Sequence, residues 1–344
     1  MVIIGIDAHK RTHTLVSCDE QGRELGQRTS GTSSSDHLEL LQWAAKQDPE
    51  RLWAVEDCRH LSRRLERDLI GAGERIVRVP PKLMAKARAG TRSFGKSDPI
   101  DALAVARAAL RKRDLPLARL DGPERELRLL VDHREDLVAE RTRASNSLRW
   151  HLHELDTSCD PALGSLERRS TLERLERQLA SGEGTVARLA RALVARCLEL
   201  TREIDALERE IAELVVRRAP SLLEICGCGA LTAAKIVGET AGIERFRSPD
   251  AYARHTGTAP VPVWSSNRAR HRLSRSGNRQ LNAALHRIAL TQAHFHPGAR
   301  ALLARRKAQG DGGLEALRVL KRRLSDVVYR ALEADAEAAL AVAA

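Results

Sequence analysis

The chain has 344 residues, of which 58 are Lys or Arg and 46 are Asp or Glu, for a formal net charge of +12. Hydrophobic residues make up 42%, too many for a disordered tail, and no run nears the ~18 apolar residues that span a bilayer. The basic balance favours a polyanionic partner, while aromatics at only 3% argue against base-stacking platforms. Six cysteines without regular spacing argue against a disulfide framework and fit a reducing, cytoplasmic compartment. Asp7 follows the first short apolar run directly, which is not the pattern of a signal peptide.

Val2–Asp7 reads as a buried strand. Thr12–Cys18 and Glu24–Thr32 alternate around the turn sequence Asp19-Glu20-Gln21-Gly22, which predicts an antiparallel meander. Asp36–Lys46 has helical spacing, Leu52–Glu56 is a short strand, Leu61–Ile70 a helix, Arg75–Val79 a strand and Asp98–Arg111 a helix. Strands alternating with helices after a meander indicate an α/β layer domain with a mixed sheet, ending near residue 120. Residues 121–218 carry leucines and isoleucines at three- and four-residue steps among charges, the pattern of a long helical hairpin or coiled coil. Its turn is expected within Thr157–Gly184, and its role is oligomerisation or spacing. Residues 219–335 read as a third, mostly helical unit, and the alanine-rich tail 336–344 is expected to fray.

The charge is uneven. No acid lies between Glu74 and Asp98, where Arg88, Arg92 and Lys96 sit, nor between Asp250 and Asp311, where Arg268, Arg270, Arg272, Arg275 and Arg279 sit. Two long acid-free basic stretches beside a balanced middle point to phosphate-backbone contact. His9 and Lys10, just after Asp7, are further candidate phosphate contacts, although a lone His after a strand is more often structural.

Four acids stand at element ends. Asp7 ends the first strand and Glu56 ends the Leu52–Val55 strand, so both can open at one sheet edge. In Asp98-Pro99-Ile100-Asp101, Pro99 suits the first helical position, which makes Asp98 the N-cap and puts both carboxylates on one helix face. Plain capping is the simpler reading of that pair alone. Together the four suit phosphodiester chemistry, in which two Mg²⁺ ions ~3.5–4 Å apart clamp the attacking and leaving oxygens. Ser265, in Trp264-Ser265-Ser266-Asn267, lies amid the arginines of the second acid-free stretch. Spacing leaves it open as phosphate contact, N-cap or nucleophile. Gly227-Cys228-Gly229 before a helix reads equally as a phosphate-holding helix-hairpin-helix turn or a simple turn.

Three sets of residues then coincide. Gly5-Ile6-Asp7-Ala8-His9-Lys10, Ala54-Val55-Glu56 and Lys96-Ser97-Asp98-Pro99-Ile100-Asp101-Ala102 resemble the DEDD transposases of the IS one-ten (IS110) insertion-sequence family. Leu231–Thr240, Gly257-Thr258-Ala259-Pro260 and His271–Asn282 resemble that family's C-terminal transposase domain, in the family's order.

The resemblance implies an α/β RuvC-like N-terminal domain of RNase H-like fold, with Asp7, Glu56, Asp98 and Asp101 as catalytic, Mg²⁺-binding acids. It implies a helical coiled-coil middle and a mostly α C-terminal domain whose serine forms a covalent 5′-phosphoserine link to DNA. That serine belongs to a Ser-Gly pair beyond Ala-Pro and falls on Ser265, although Ser266 occupies the glycine position and competes for the role. The resemblance also implies donor and target DNA as substrates, a guide (bridge) RNA, a homodimer assembling to a tetramer, and a nucleoid-associated bacterial protein without a membrane partner. The competing readings are a RuvC-like junction resolvase using the acids alone, and a non-catalytic nucleic-acid scaffold.

Overall fold

A β-branched run at the N terminus starts a five-stranded sheet. The computed structural model describes residues 1–344 except 57–58, 81–82, 85–96, 113–114, 116, 119–121, 123, 266–267, 273–276 and 344; of 59–60, 262–265, 268–272 and 342–343 it describes the backbone only. The chain divides into two units, Met1–Leu120 and Asp121–Ala344.

In the first unit, β1 (Val2–Ala8), β2 (His13–Cys18) and β3 (Glu24–Ser30) form the antiparallel meander. Asp19 Oδ1 accepts from the backbone N–H groups of Gln21 and Arg23 at the β2–β3 turn, where Gly22 supplies a φ of 75°. Helix α1 (Ser34–Ala45) starts in a capping box between Ser33 and Asp36. The chain returns in β4 (Arg51–Glu56), parallel to β1, then α2 (Arg59–Gly71) and β5 (Ile76–Val79), parallel to β4. The sheet order β3-β2-β1-β4-β5, a meander extended by two parallel strands, is the RNase H-like arrangement.

Strand alternation divides the side chains between two cores. Ile4, Ile6, Trp53 and Val55 pack with Leu40, Leu65 and Leu69 of α1 and α2. Ile3, Ala54, Val77 and Val79 pack on the opposite face with Val105, Ala106 and Ala109 of α3 (Asp98–Arg111). Gly5 makes that second layer unusually thin. A Cβ there would stand 2.0 Å from the Ala102 carbonyl oxygen and 2.6 Å from the Ala106 nitrogen, so α3 rests on the backbone of β1.

The second unit is helical. Helix α4 (Glu124–Leu155) and helix α6 (Gly184–Arg218) run antiparallel, with Leu137, Leu200 and Ile204 between them. Arg134 Nε donates to Glu208 Oε1 at 2.9 Å and Arg196 Nη2 to Glu140 Oε1 at 2.7 Å across the pair. The expected turn contains a helix of its own, α5 (Arg169–Leu179), whose Leu172 and Leu175 cover the hairpin tip with Leu148, Leu152 and Val194. The short α7 (Pro220–Leu223), then α8 (Ala230–Thr240) and α9 (Pro249–His255), follow. A hairpin of β6 (Val261–Ser265) and β7 (Arg268–Arg272) interrupts the helices, before α10 (Arg279–Phe295), α11 (Pro297–Ala308) and α12 (Gly313–Ala343).

The packing differs from the sequence reading at one point. One core joins Leu127 and Val131 of α4, Ile211 and Val215 of α6, Ile236 of α8, Leu285 and Ile288 of α10, and Leu324 and Val328 of α12. The feet of the hairpin are thus part of the unit that follows it, and residue 218 marks no gap in packing. The alanine-rich tail continues α12 to Ala343, as alanine favours helix, and Ala336 packs against the shared core.

Candidate functional site

The carboxylates gather at the end of β1. Asp7 lies on the α3 face of the sheet, two positions beyond Gly5, and is 8% exposed. Val55 pairs with Ile6, so Glu56, the next residue and the last of β4, stands level with Asp7. Because α3 sits on Gly5, its first turn brings Asp98 and the buried Asp101 to the same edge. The expected cap differs by one residue: Ser97 is the N-cap and makes no side-chain capping bond, so Asp98 is the first helical residue. The Asp98 carboxylate is thereby free of the capping duty and more than half exposed.

His9 enters this cluster. Its Nε2 lies 3.2 Å from Asp7 Oδ2 and 3.5 Å from Asp98 Oδ1. Asp7, His9 and Asp98 each bring one ligand atom within 4.8 Å of the others, whereas Glu56 and Asp101 are outside that tight group. Burial pushes the Asp7 carboxyl above its ordinary range; His9 opposes the shift, and Asp101 and Asp98 add to it. A buried carboxylate raised by burial and by like charges gains most from a hard cation with oxygen ligands, so the donor set fits a divalent metal. The imidazole nitrogen stands between two carboxylates as a cation would.

The second candidate group lies in the other unit. Ser265 is the last residue of β6, and its backbone register pairs it with Arg268 at the start of β7. Arg270 pairs with Val263 and Arg272 with Val261. Arg279 opens α10 and is exposed, as is Lys10 after β1. Arg88, Arg92, Lys96, Arg275 and Ser266 lie outside the described residues.

Family models match both parts of the chain. Residues 4–156 match the model described as "Transposase", of the DEDD IS110 type, and residues 219–304 match "Transposase IS116/IS110/IS902 family". The chain belongs to the IS110 family of transposases. Curated relatives include the 44.8 kDa protein of insertion element IS116 from Streptomyces clavuligerus, 28% identical over 96% of this chain and 94% of that protein. The 42 kDa protein of insertion element IS900 from Mycobacterium paratuberculosis is 28% identical over 95% and 94%. Among solved structures, Thermus thermophilus RuvC in complex with a Holliday junction substrate is similar at 19% identity, covering 34% of this chain and 99% of that one, with a TM-score of 0.27.

This transposase is an enzyme acting on DNA, and among its described residues no helix is long and apolar enough to cross a membrane. Its Leu231–Thr240 motif forms α8, and the small residues serve packing. A Cβ at Gly238 would meet Arg128 Cα at 2.9 Å, so α8 lies directly against α4. Across that contact Lys235 Nζ donates to Glu135 Oε2 at 2.8 Å. Glu239 accepts from Asn278 Nδ2 at 2.6 Å, tying α8 to the N-cap of α10. The Gly227-Cys228-Gly229 turn is packed from behind, with Cys228 buried and Gly227, at φ 87°, against Thr291. Sequence reading favoured a structural role for His9; the signal that could have found it is the two-residue step from Asp7 along an edge that ends the strand.

Proposed function

We propose that this transposase cleaves and exchanges DNA strands through a covalent 5′-phosphoserine intermediate, with Mg²⁺ held by Asp7, Glu56, Asp98 and Asp101. The observation that carries it is the meeting of Asp7 with the start of α3, where burial and neighbouring acids raise the Asp7 carboxyl. Mg²⁺ would supply charge neutralisation at the scissile phosphate. Ser265 Oγ attacks phosphorus; the Oγ–P bond forms, the P–O3′ bond breaks, and the hydroxyl proton passes to the leaving 3′ oxygen. The linkage conserves the phosphodiester's free energy, so exchange needs no ATP. Lys10, Arg268, Arg270, Arg272 and Arg279, with Arg88, Arg92, Lys96 and Arg275, hold backbone phosphates.

The reading assigns residues 1–120 to the acid chemistry, 121–218 to oligomerisation and 219–335 to the serine. A bridge RNA reads donor and target sequence by pairing, and dimers assemble to tetramers in the cytoplasm beside the nucleoid. The low aromatic content supports backbone contact, and the exposed Leu129, Trp150 and Val216 on the hairpin helices support assembly through them.

The test incubates the protein with Mg²⁺, element DNA and element RNA and looks for protein covalently attached to a 5′ end. Loss of the adduct in Ser265→Ala supports the reading, and loss in Ser266→Ala alone moves the nucleophile by one residue. Cleavage that survives both substitutions favours a resolvase using the acids only. An absence of strand breakage under all conditions favours the scaffold.

A further inference from the structure

A cavity of about 580 Å³ opens between α10 and α12, with Arg279, Asn282, His286, Leu317, Arg318 and Lys321 in its lining. Among the described residues its ionisable lining is wholly basic or imidazole, namely Arg279, His286, Arg318 and Lys321, with no carboxylate. Lys321 is the residue that needs explaining. It is 7% exposed, and among the described residues its ammonium has one hydrogen bond, to Asn282 Oδ1 at 2.5 Å. No acid of the described residues lies within ion-pair distance of it.

Burying an ammonium without a carboxylate is costly, since one neutral amide replaces little of its hydration. Burial accordingly lowers the Lys321 pKa, and the His286 imidazole is lowered first by burial and then by Lys321. The other buried lysine among the described residues is treated differently: Lys235 lies against both Asp132 and Glu135. Asn282 is not free to leave either. Its Nδ2 donates to the Thr256 carbonyl at 2.9 Å, so the amide is oriented with its oxygen toward Lys321. Arg318, shared with the surface residue Glu315 at 3.5 Å, and Arg279 add cations, and Leu314 and Leu317 form an apolar wall.

We infer that this cavity seats one phosphodiester of a nucleic-acid strand, with Lys321 oriented by Asn282 as its anchor and Arg318 and Arg279 as further contacts. A phosphate supplies the negative charge that the fold withholds from Lys321. The volume is that of a small-ligand pocket, so the attached sugar fits against Leu314 and Leu317. The inference rests on the reading of the chain as a nucleic-acid recombinase and adds Lys321 to the phosphate contacts of the second unit. The strand is either DNA or RNA, and both present the same phosphate.

Binding of full-length protein to a labelled DNA duplex and to a labelled single-stranded RNA, each across a salt series, tests it. Lys321→Met is expected to weaken one of them about tenfold or more. The slope of log affinity against log salt should then fall by about 0.9 for duplex or about 0.7 for single strand, which tells the two sources apart. The melting temperature should hold or rise, because a charge without a counter-charge has been removed. Unchanged affinity and slope with both probes overturns the inference, as does a lowered melting temperature with an unchanged slope, which makes Lys321 a structural link to Asn282. If Lys321→Met does not fold, Arg318→Gln is read by the same criteria. If the wild type binds neither probe, inorganic pyrophosphate decides: it must raise the melting temperature of the wild type and not of the variant. Strand cleavage by the wild type is scored separately, so its absence sinks the recombinase reading without touching the result for the cavity.

Discussion

The two units treat like charges in opposite ways. In residues 1–120 carboxylates crowd at one edge, and Asp7 is buried among them with a raised pKa. In residues 121–344 acids such as Glu208 and Glu140 pair with arginines across the helical hairpin, while cations collect around a cavity with no acid among the described residues of its lining. Each cluster is unfavourable alone, and each is suited to a ligand of the other sign. One calls for a metal cation, the other for a phosphate. A charge penalty retained by the fold marks where a ligand of the opposite sign would relieve it.

The sharpest way to break this comparison is to neutralise an acid. Asp7→Asn should lower strand cleavage by about 10³-fold or more, the scale of removing a preorganised charge partner. The same change should raise the melting temperature of metal-free protein at pH 7. The sign follows from the raised carboxyl: between the unfolded value near 3.8 and the higher folded value, the folded state holds more protons, so Asp7 costs stability as pH rises through that window. Calorimetry at pH 7 showing a lower melting temperature for Asp7→Asn would count against a strained acid cluster.

Gly5→Ala should be the most damaging single methyl in the first unit. A Cβ 2.0 Å from a backbone oxygen forces α3 off the sheet, at a cost of about 3 kcal/mol. Denaturant unfolding gives the loss, and weakened metal affinity would show that the acids have moved apart. A fully active, equally stable Gly5→Ala would mean that the helix–strand contact does not set the site.

His13 supplies a test on the face of the sheet opposite the acids. It is buried and stacked on His37 at 5.5 Å, and burial followed by the His37 charge lowers its pKa to about 4. A histidine held neutral in the fold binds fewer protons than the unfolded chain below pH 6.5, so stability falls as pH drops from 6.5 toward 4. The loss is of the order of 3 kcal/mol at most. His13→Gln should flatten that part of the stability profile, and an unchanged slope would assign the loss to other groups.

The smallest effect belongs to the second unit. A double-mutant cycle on Arg134 and Glu208, partly exposed on the hairpin, should return about 0.5–1 kcal/mol. A coupling of several kcal/mol would show that the paired acids of the hairpin also do more than decorate a solvated surface.

Much of the first unit could be read in the sequence because its signals are local. A β-branched run, a turn at Asp19–Gly22 and amphipathic spacing in Ser34–Ala45 each declare an element without reference to the rest. The four acids were visible as a spaced pattern, but their convergence depends on Gly5, whose absent side chain carries no periodicity. The β6–β7 hairpin escaped because its strands are short and lie in an arginine-rich stretch that reads as a charge run. Lys321 escaped for a different reason. It lies on α12, outside the acid-free stretch, and only the fold brings it beside Asn282 and His286. Nor could spacing show that the hairpin's feet share a core with α8, α10 and α12, since those contacts span long separations.

That shared core has a mechanical consequence. Helix α4 has 32 residues, which at 1.5 Å each makes an arm ~48 Å long. Its root is clamped among α6, α8 and α12, while its far end packs on α6 and α5 alone among the described helices. An arm held this way behaves as a cantilever. By that same length, a tilt of about 10° at the root sweeps the tip through ~8 Å. Small repacking around Gly238, where α8 presses on α4, is therefore magnified at the distal end of the hairpin.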